Sequence, residues 1–70
     1  MFYTVLEIQA NVGSDPACIP VVFYDYNAAL AKLYTVLAAA AASALPYHAG
    51  FILRSDGIVT DGRAFDRGGE

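Results

Sequence analysis

The sequence predicts an α+β domain of order β-β-α-β-β: a four-stranded antiparallel sheet, spatial order 2-1-3-4, with one alanine-rich helix packed on one face. Three observations lead there. Phe2 to Ala10 is rich in β-branched and aromatic residues and is apolar on both faces in its upper part. Asn27 to Leu45 carries apolar side chains at helical spacing and stops at Pro46. A helix crossing over between strands two and three makes them run the same way, which leaves strand one to lie between them.

The first strand alternates Phe2, Thr4, Leu6 and Ile8 on one face with Tyr3, Val5, Glu7 and Gln9 on the other. Asn11 to Pro16 is a loop by its turn-forming residues. The second strand runs from Cys18 to Tyr24, and Pro20, which has no ladder donor, either sends it to a sheet edge or makes it begin after the proline. Val21 and Phe23 share one of its faces, Val22 and Tyr24 the other. Asp25 or Asn27 caps the helix by accepting a bond from a free first-turn amide. Its buried stripe is predicted as Leu30, Leu33, Tyr34, Leu37, Ala41 and Leu45. Tyr47 to Arg54 and Ile58 to Phe65 are strands three and four, joined by the three-residue hairpin loop Ser55-Asp56-Gly57. Gly50 and Gly62 mark bulges or close approaches, and residues 66–70 are expected to fray. The whole chain, 1–70, is a single small domain.

Composition limits what this domain does. Apolar residues are 57% of the chain, 40 in all, but 13 of these are alanine, so 27 side chains carry most of the burial. A domain of 70 residues with so small a core commonly leans on a disulfide, a metal or a partner. Cys18 has no second cysteine to join, and no spacing of metal ligands is visible, so a partner is the remaining support. The net charge is −3, and Arg54, Arg63 and Arg67 are interleaved with Asp56, Asp61 and Asp66. That pattern builds no surface for nucleic acid, and no nucleic-acid partner is expected.

Between Lys32 and Arg54 lie 21 residues without formal charge, long enough to resemble a membrane span. Alanine adds little transfer energy, and Pro46, His48 and Gly50 interrupt the stretch, so no membrane partner is expected. The start of the chain lacks the basic residues of a signal peptide. With one unpaired cysteine, a soluble cytoplasmic protein is the expectation.

Candidate chemistry is sparse. His48, the only histidine, invites an acid–base role, but sequence supplies neither a nucleophile nor an orienting group beside it. Cys18 has no basic neighbour to stabilise a thiolate and is expected as a small buried apolar residue. Asp56, Asp61 and Asp66 recur every five residues, an odd interval that sends strand side chains to opposite faces rather than around a metal. The nine aromatic residues lack the basic groove of a single-strand binder and fit a core and a subunit interface. No catalytic residues, metal or cofactor are therefore assigned, and an enzyme is not expected.

One block has a counterpart elsewhere. Lys32-Leu33-Tyr34, Val36 to Ala41, Ser43, Pro46 and His48 resemble a run in short uncharacterised proteins of Firmicutes bacteria and their phages or prophages. Glu7-Ile8-Gln9 and the Asp56-Gly57 turn are similar to pieces of the same proteins. This chain departs from them in its longer Asn11 to Pro16 loop and in lacking a long acidic tail. The family has no assigned activity, so the resemblance implies a small accessory or structural role, virion-associated if the origin is a phage, and adds no catalytic residue.

The functional expectation is a small non-catalytic interaction or structural protein that forms a homodimer or higher homo-oligomer. One helix covers one face of the sheet, and the other face is left apolar and wet. The interface candidates are Tyr3, Val5, Val22 and Tyr24 on the sheet and Ala31, Thr35, Ala39 and Ala42 on the nearly chargeless side of the helix. The alternative is a ligand-binding or regulatory module with a pocket between helix and sheet lined by Tyr34, His48 and Phe51.

Overall fold

A computed structural model describes residues 1–68 and has the predicted architecture. Strands β1 (Tyr3–Ala10), β2 (Ala17–Phe23), β3 (Tyr47–Arg54) and β4 (Val59–Asp66) form one antiparallel sheet in the order β2-β1-β3-β4, and α1 (Tyr26–Ala41) lies across it. Asp25 is the cap: its carboxylate accepts from the Ala28 amide at 3.1 Å. The hairpin loop forms as predicted, with Gly57 at φ +91° donating to the Arg54 carbonyl.

Register fixes which side chains meet. Tyr3 pairs with Phe23 and Arg54, and Val5 with Val21 and Ile52. The helix packs on this set. Val5, Ala29, Leu33, Val36 and Ile52 form the core, flanked by Tyr3, Phe23, Tyr26, Leu30 and Leu37. The rings of Tyr3 and Tyr26 meet edge to face at 5.4 Å, and the Tyr26 hydroxyl donates to Asp61, tying the first helical turn to β4.

This reverses the expected faces. Tyr3 and Val5, predicted to stay wet, lie under the helix, and Val5 is 1% exposed. The face that stays open carries Phe2, Thr4, Leu6 and Ile8. Gly50 is the physical reason. A Cβ there would stand 2.8 Å from Val36 Cγ1, so its missing side chain is what lets α1 settle on that side of β3. On the opposite side of β3 the positions are Tyr47, Ala49, Phe51 and Leu53, none of which lacks a side chain.

Three smaller expectations also change. The buried stripe is Ala29, Leu33, Val36 and Ala40, rotated from the predicted one, so that Tyr34 and Ala41 are exposed. The helix ends four residues before Leu45, because Arg67 reaches back to its carbonyls: Nη2 donates to Ala40 at 2.8 Å and to Ala41 at 3.2 Å. Asp66 and Arg67 therefore do not fray. Asp66 closes β4, and the Arg67 amide donates to the Pro46 carbonyl at 2.6 Å. The remainder of that expectation, residues 69 and 70, lies outside the described residues. Gly50 and Gly62 mark close approaches, as one of the two expectations had it: a Cβ would meet Val36 at the first and Phe51 at the second, while the bulge itself falls at Thr60, between the pairs Ile52–Asp61 and Leu53–Val59.

Candidate functional site

Two features outside the core bear on function: a buried polar pair under the helix and the open face of the sheet. His48 is 4% exposed, on the helix side of β3. Its Nε2 lies 2.7 Å from Glu7 Oε2, and Gln9 donates to the same oxygen at 3.1 Å. With Nε2 donating to the carboxylate, Nδ1 is left buried and without a hydrogen-bond partner among the described residues. The His48 bond, ahead of the opposing effect of burial, holds the Glu7 carboxyl below its ordinary value, and Gln9 and nearby Lys32 act in the same direction. The cluster joins β1 to β3 beneath α1. Its residues have hydrogen-bond partners rather than a reacting group, so the geometry is that of an internal tie.

The open face follows from the register. Phe2, Thr4, Leu6, Ile8 and Ala10 of the first strand and its lead-in lie beside Val22, Pro20 and Cys18 on one side and Leu53, Phe51, Ala49 and Tyr47 on the other. Gly62, Ala64 and Asp66 complete it on β4. Its large side chains pack laterally. The Phe51 ring lies over its cross-strand partner Gly62, where a Cβ would overlap it, and Ala49 is fully covered between its neighbours. At the upper end Phe2 and Tyr24 meet edge to face at 6.3 Å, and Tyr24 is 82% exposed. At the lower end the cross-strand row Ala10, Tyr47 and Asp66, with Asn11, Val12, Pro46 and Gly68, lines a shallow groove of about 380 Å³.

The eight predicted interface residues do not form one surface. Tyr3 and Val5 face the helix; Val22 and Tyr24 belong to the open face; Ala31, Thr35, Ala39 and Ala42 lie exposed on the far side of α1. Nor do the three pocket residues converge. Tyr34 points outward at 61% exposure, His48 is sealed beneath the helix, and Phe51 is on the other side of the sheet. Cys18 is exposed on the edge strand, contrary to its expected burial, because β2 has only one neighbour. Asp61 and Asp66 do fall on opposite faces, Asp61 bonded to Tyr26 and Asp66 on the open side.

Sequence reasoning missed the Glu7–His48 pair, the Arg67 cap and the lower groove. A signal for the pair was present: Glu7 and His48 are polar residues at alternating positions of two strands predicted to be neighbours. Among the described residues no group of three metal-ligating side chains converges, and no helix is long and apolar enough to cross a membrane. No catalytic set is assembled among them. No protein family, curated protein or solved structure matches this chain.

Proposed function

We propose that this chain is a small non-catalytic interaction protein that acts as a homodimer, with the open face of the sheet as the contact. One observation carries the reading: one face of the four-stranded sheet holds mostly apolar side chains, and no helix among the described residues covers it. Four strands about 4.8 Å apart and about eight residues of 3.3 Å long span roughly 500 Å² in projection. Side-chain relief raises the accessible area above that, towards the ~800 Å² per partner of a stable complex.

The occupant is a second copy because the face is nearly free of charge. Among the described residues Asp66 at one corner is its only formally charged residue by register, while the whole chain carries −3. A surface meeting its own image cannot hold a cluster of one sign without repulsion, and this one holds none. A structural role, and an origin among phage or prophage genes, belong to the same proposal and rest on the resemblance of the helix block, with Glu7-Ile8-Gln9 and the Asp56-Gly57 turn.

Val22→Lys tests the reading. Val22 is 50% exposed on the edge strand, so a lysine there costs the monomer little but places a charge in the contact. Light scattering after gel filtration at low micromolar concentration should give twice 7.4 kDa for the unmodified chain and 7.4 kDa for the variant, with equal circular dichroism. Equal masses for both chains would overturn it.

A further inference from the structure

We infer that the two-fold axis of the dimer runs along the strands, above the line between β1 and β3, so that β2 of each copy lies on β4 of the other. This rests on the homodimer reading and adds its orientation.

The open face is ordered in cross-strand rows. The uppermost complete row is Val22, Thr4, Leu53 and Val59, running from one edge of the sheet to the other. Its two ends are valines on edge strands, 50% and 57% exposed, and Phe2, Tyr24 and Ile58 are exposed at the same end of the sheet. Below it lie Pro20, Leu6, Phe51 and Gly62, then Cys18, Ile8, Ala49 and Ala64. The last row is Ala10, Tyr47 and Asp66. Strand β2 starts at Ala17, level with Gln9, so it does not reach this row.

An axis along the strands lays every row on its own reverse. Val22 then meets the partner's Val59, and Val59 meets the partner's Val22, so the exposed ends of the first row cover each other twice. Large and small side chains face each other, as two packed sheets require: Ile8 meets the partner's Ala49, and Ala10 the partner's Tyr47. In the row between, the Phe51 ring lies over Gly62, which opens the space above β3 to the partner's Leu6. Asp66 falls past the end of the partner's β2, at a corner where its carboxylate keeps its water. An axis across the strands, through the middle of these four rows, lays the first row on the last instead. Val59 would then cover the partner's Asp66, whose one donor among the described residues is the Gly68 amide, and Leu53 would collide with the partner's Tyr47.

A mixing experiment tests the axis. Val22→Lys and Val59→Glu each place one charge at a half-exposed position, so both variants should match the circular dichroism of the unmodified chain. The two positions lie three strand spacings apart, about 14 Å, too far to pair within one copy. Each variant alone should dimerise at least tenfold more weakly than the unmodified chain in sedimentation equilibrium at low ionic strength. Their equimolar mixture should dimerise at least tenfold more tightly than either variant alone, because the introduced lysine of one chain meets the introduced glutamate of the other. A mixture no tighter than its components, or a Val59→Glu chain that dimerises like the unmodified one, would overturn the axis while the dimer broken by Val22→Lys stands. An unmodified chain that stays monomeric overturns both.

Discussion

Gly50 shows how one absent side chain sets the position of a helix. A methyl group there meets Val36 Cγ1 at 2.8 Å, Leu33 Cδ1 at 3.2 Å and Leu37 Cδ2 at 3.4 Å, all from the helix above. Gly50→Ala should therefore lower stability by about 1–3 kcal/mol in chemical denaturation, the usual cost of overpacking. Gly62→Ala should resist rescue by trimming Phe51 to alanine, because the Gly50 carbonyl oxygen also lies only 2.8 Å from the added Cβ. A full recovery of stability in the Gly62→Ala/Phe51→Ala double variant would contradict this. His48 makes a prediction in pH. The folded protein holds Glu7 below its ordinary value of 4.5, chiefly through the His48 bond, so folding binds fewer protons there than the unfolded chain does. That contribution is present above the ordinary value and is lost as pH falls through the lowered one. His48→Phe keeps the bulk but removes the donor. It should cost about 2 kcal/mol at neutral pH and flatten the loss of stability in acid. Denaturation midpoints from about pH 3 to 7 measure both effects, and an unchanged acid slope would assign the pH dependence to other carboxylates.

At the scale of elements, the helix and its ends separate what local sequence encodes from what it does not. The Asp25 cap, the turn at Gly57 and the four strands depend on near neighbours in the chain and were legible to within one residue at most boundaries. The helix C-terminus was not, because its last carbonyls are met by Arg67, 27 residues from Ala40. Alanine from position 38 onward gives no stop signal of its own, and Pro46 alone overstates the length. Arg67→Ala should cost about 1 kcal/mol and increase hydrogen exchange of the amides at 42–45, with the rest of α1 less affected. Exchange unchanged in that segment would show the cap to be dispensable. The covered face of the sheet was likewise illegible. Counting apolar residues favours putting Leu6 and Ile8 under the helix, yet Glu7 and Gln9 lie there instead. Their polarity is accommodated by His48 on the neighbouring strand, a pairing that only the register reveals.

For the whole molecule, the alanine-rich composition has a concrete consequence. The fully covered helix side chains are Ala29 and Ala40 with Leu33 at 1% exposure, a small apolar volume for a 70-residue domain. Larger side chains, Leu6, Ile8, Phe51 and Leu53, sit on the sheet's other side, where only lateral packing shields them. A second sheet about 10 Å away would bury them and supply the core that one helix does not. The proposed interface therefore has two sources: composition suggests a partner, and the fold, not the sequence, says which face of the sheet is left open for one. The most direct measurement is an isotope-filtered nuclear Overhauser experiment on a mixture of labelled and unlabelled chains. Contacts between copies should arise from Leu6, Ile8, Val22 and Phe51 on the open face. Contacts from Ala31, Thr35, Ala39 and Ala42 of the helix instead, or none between copies at all, would contradict the account.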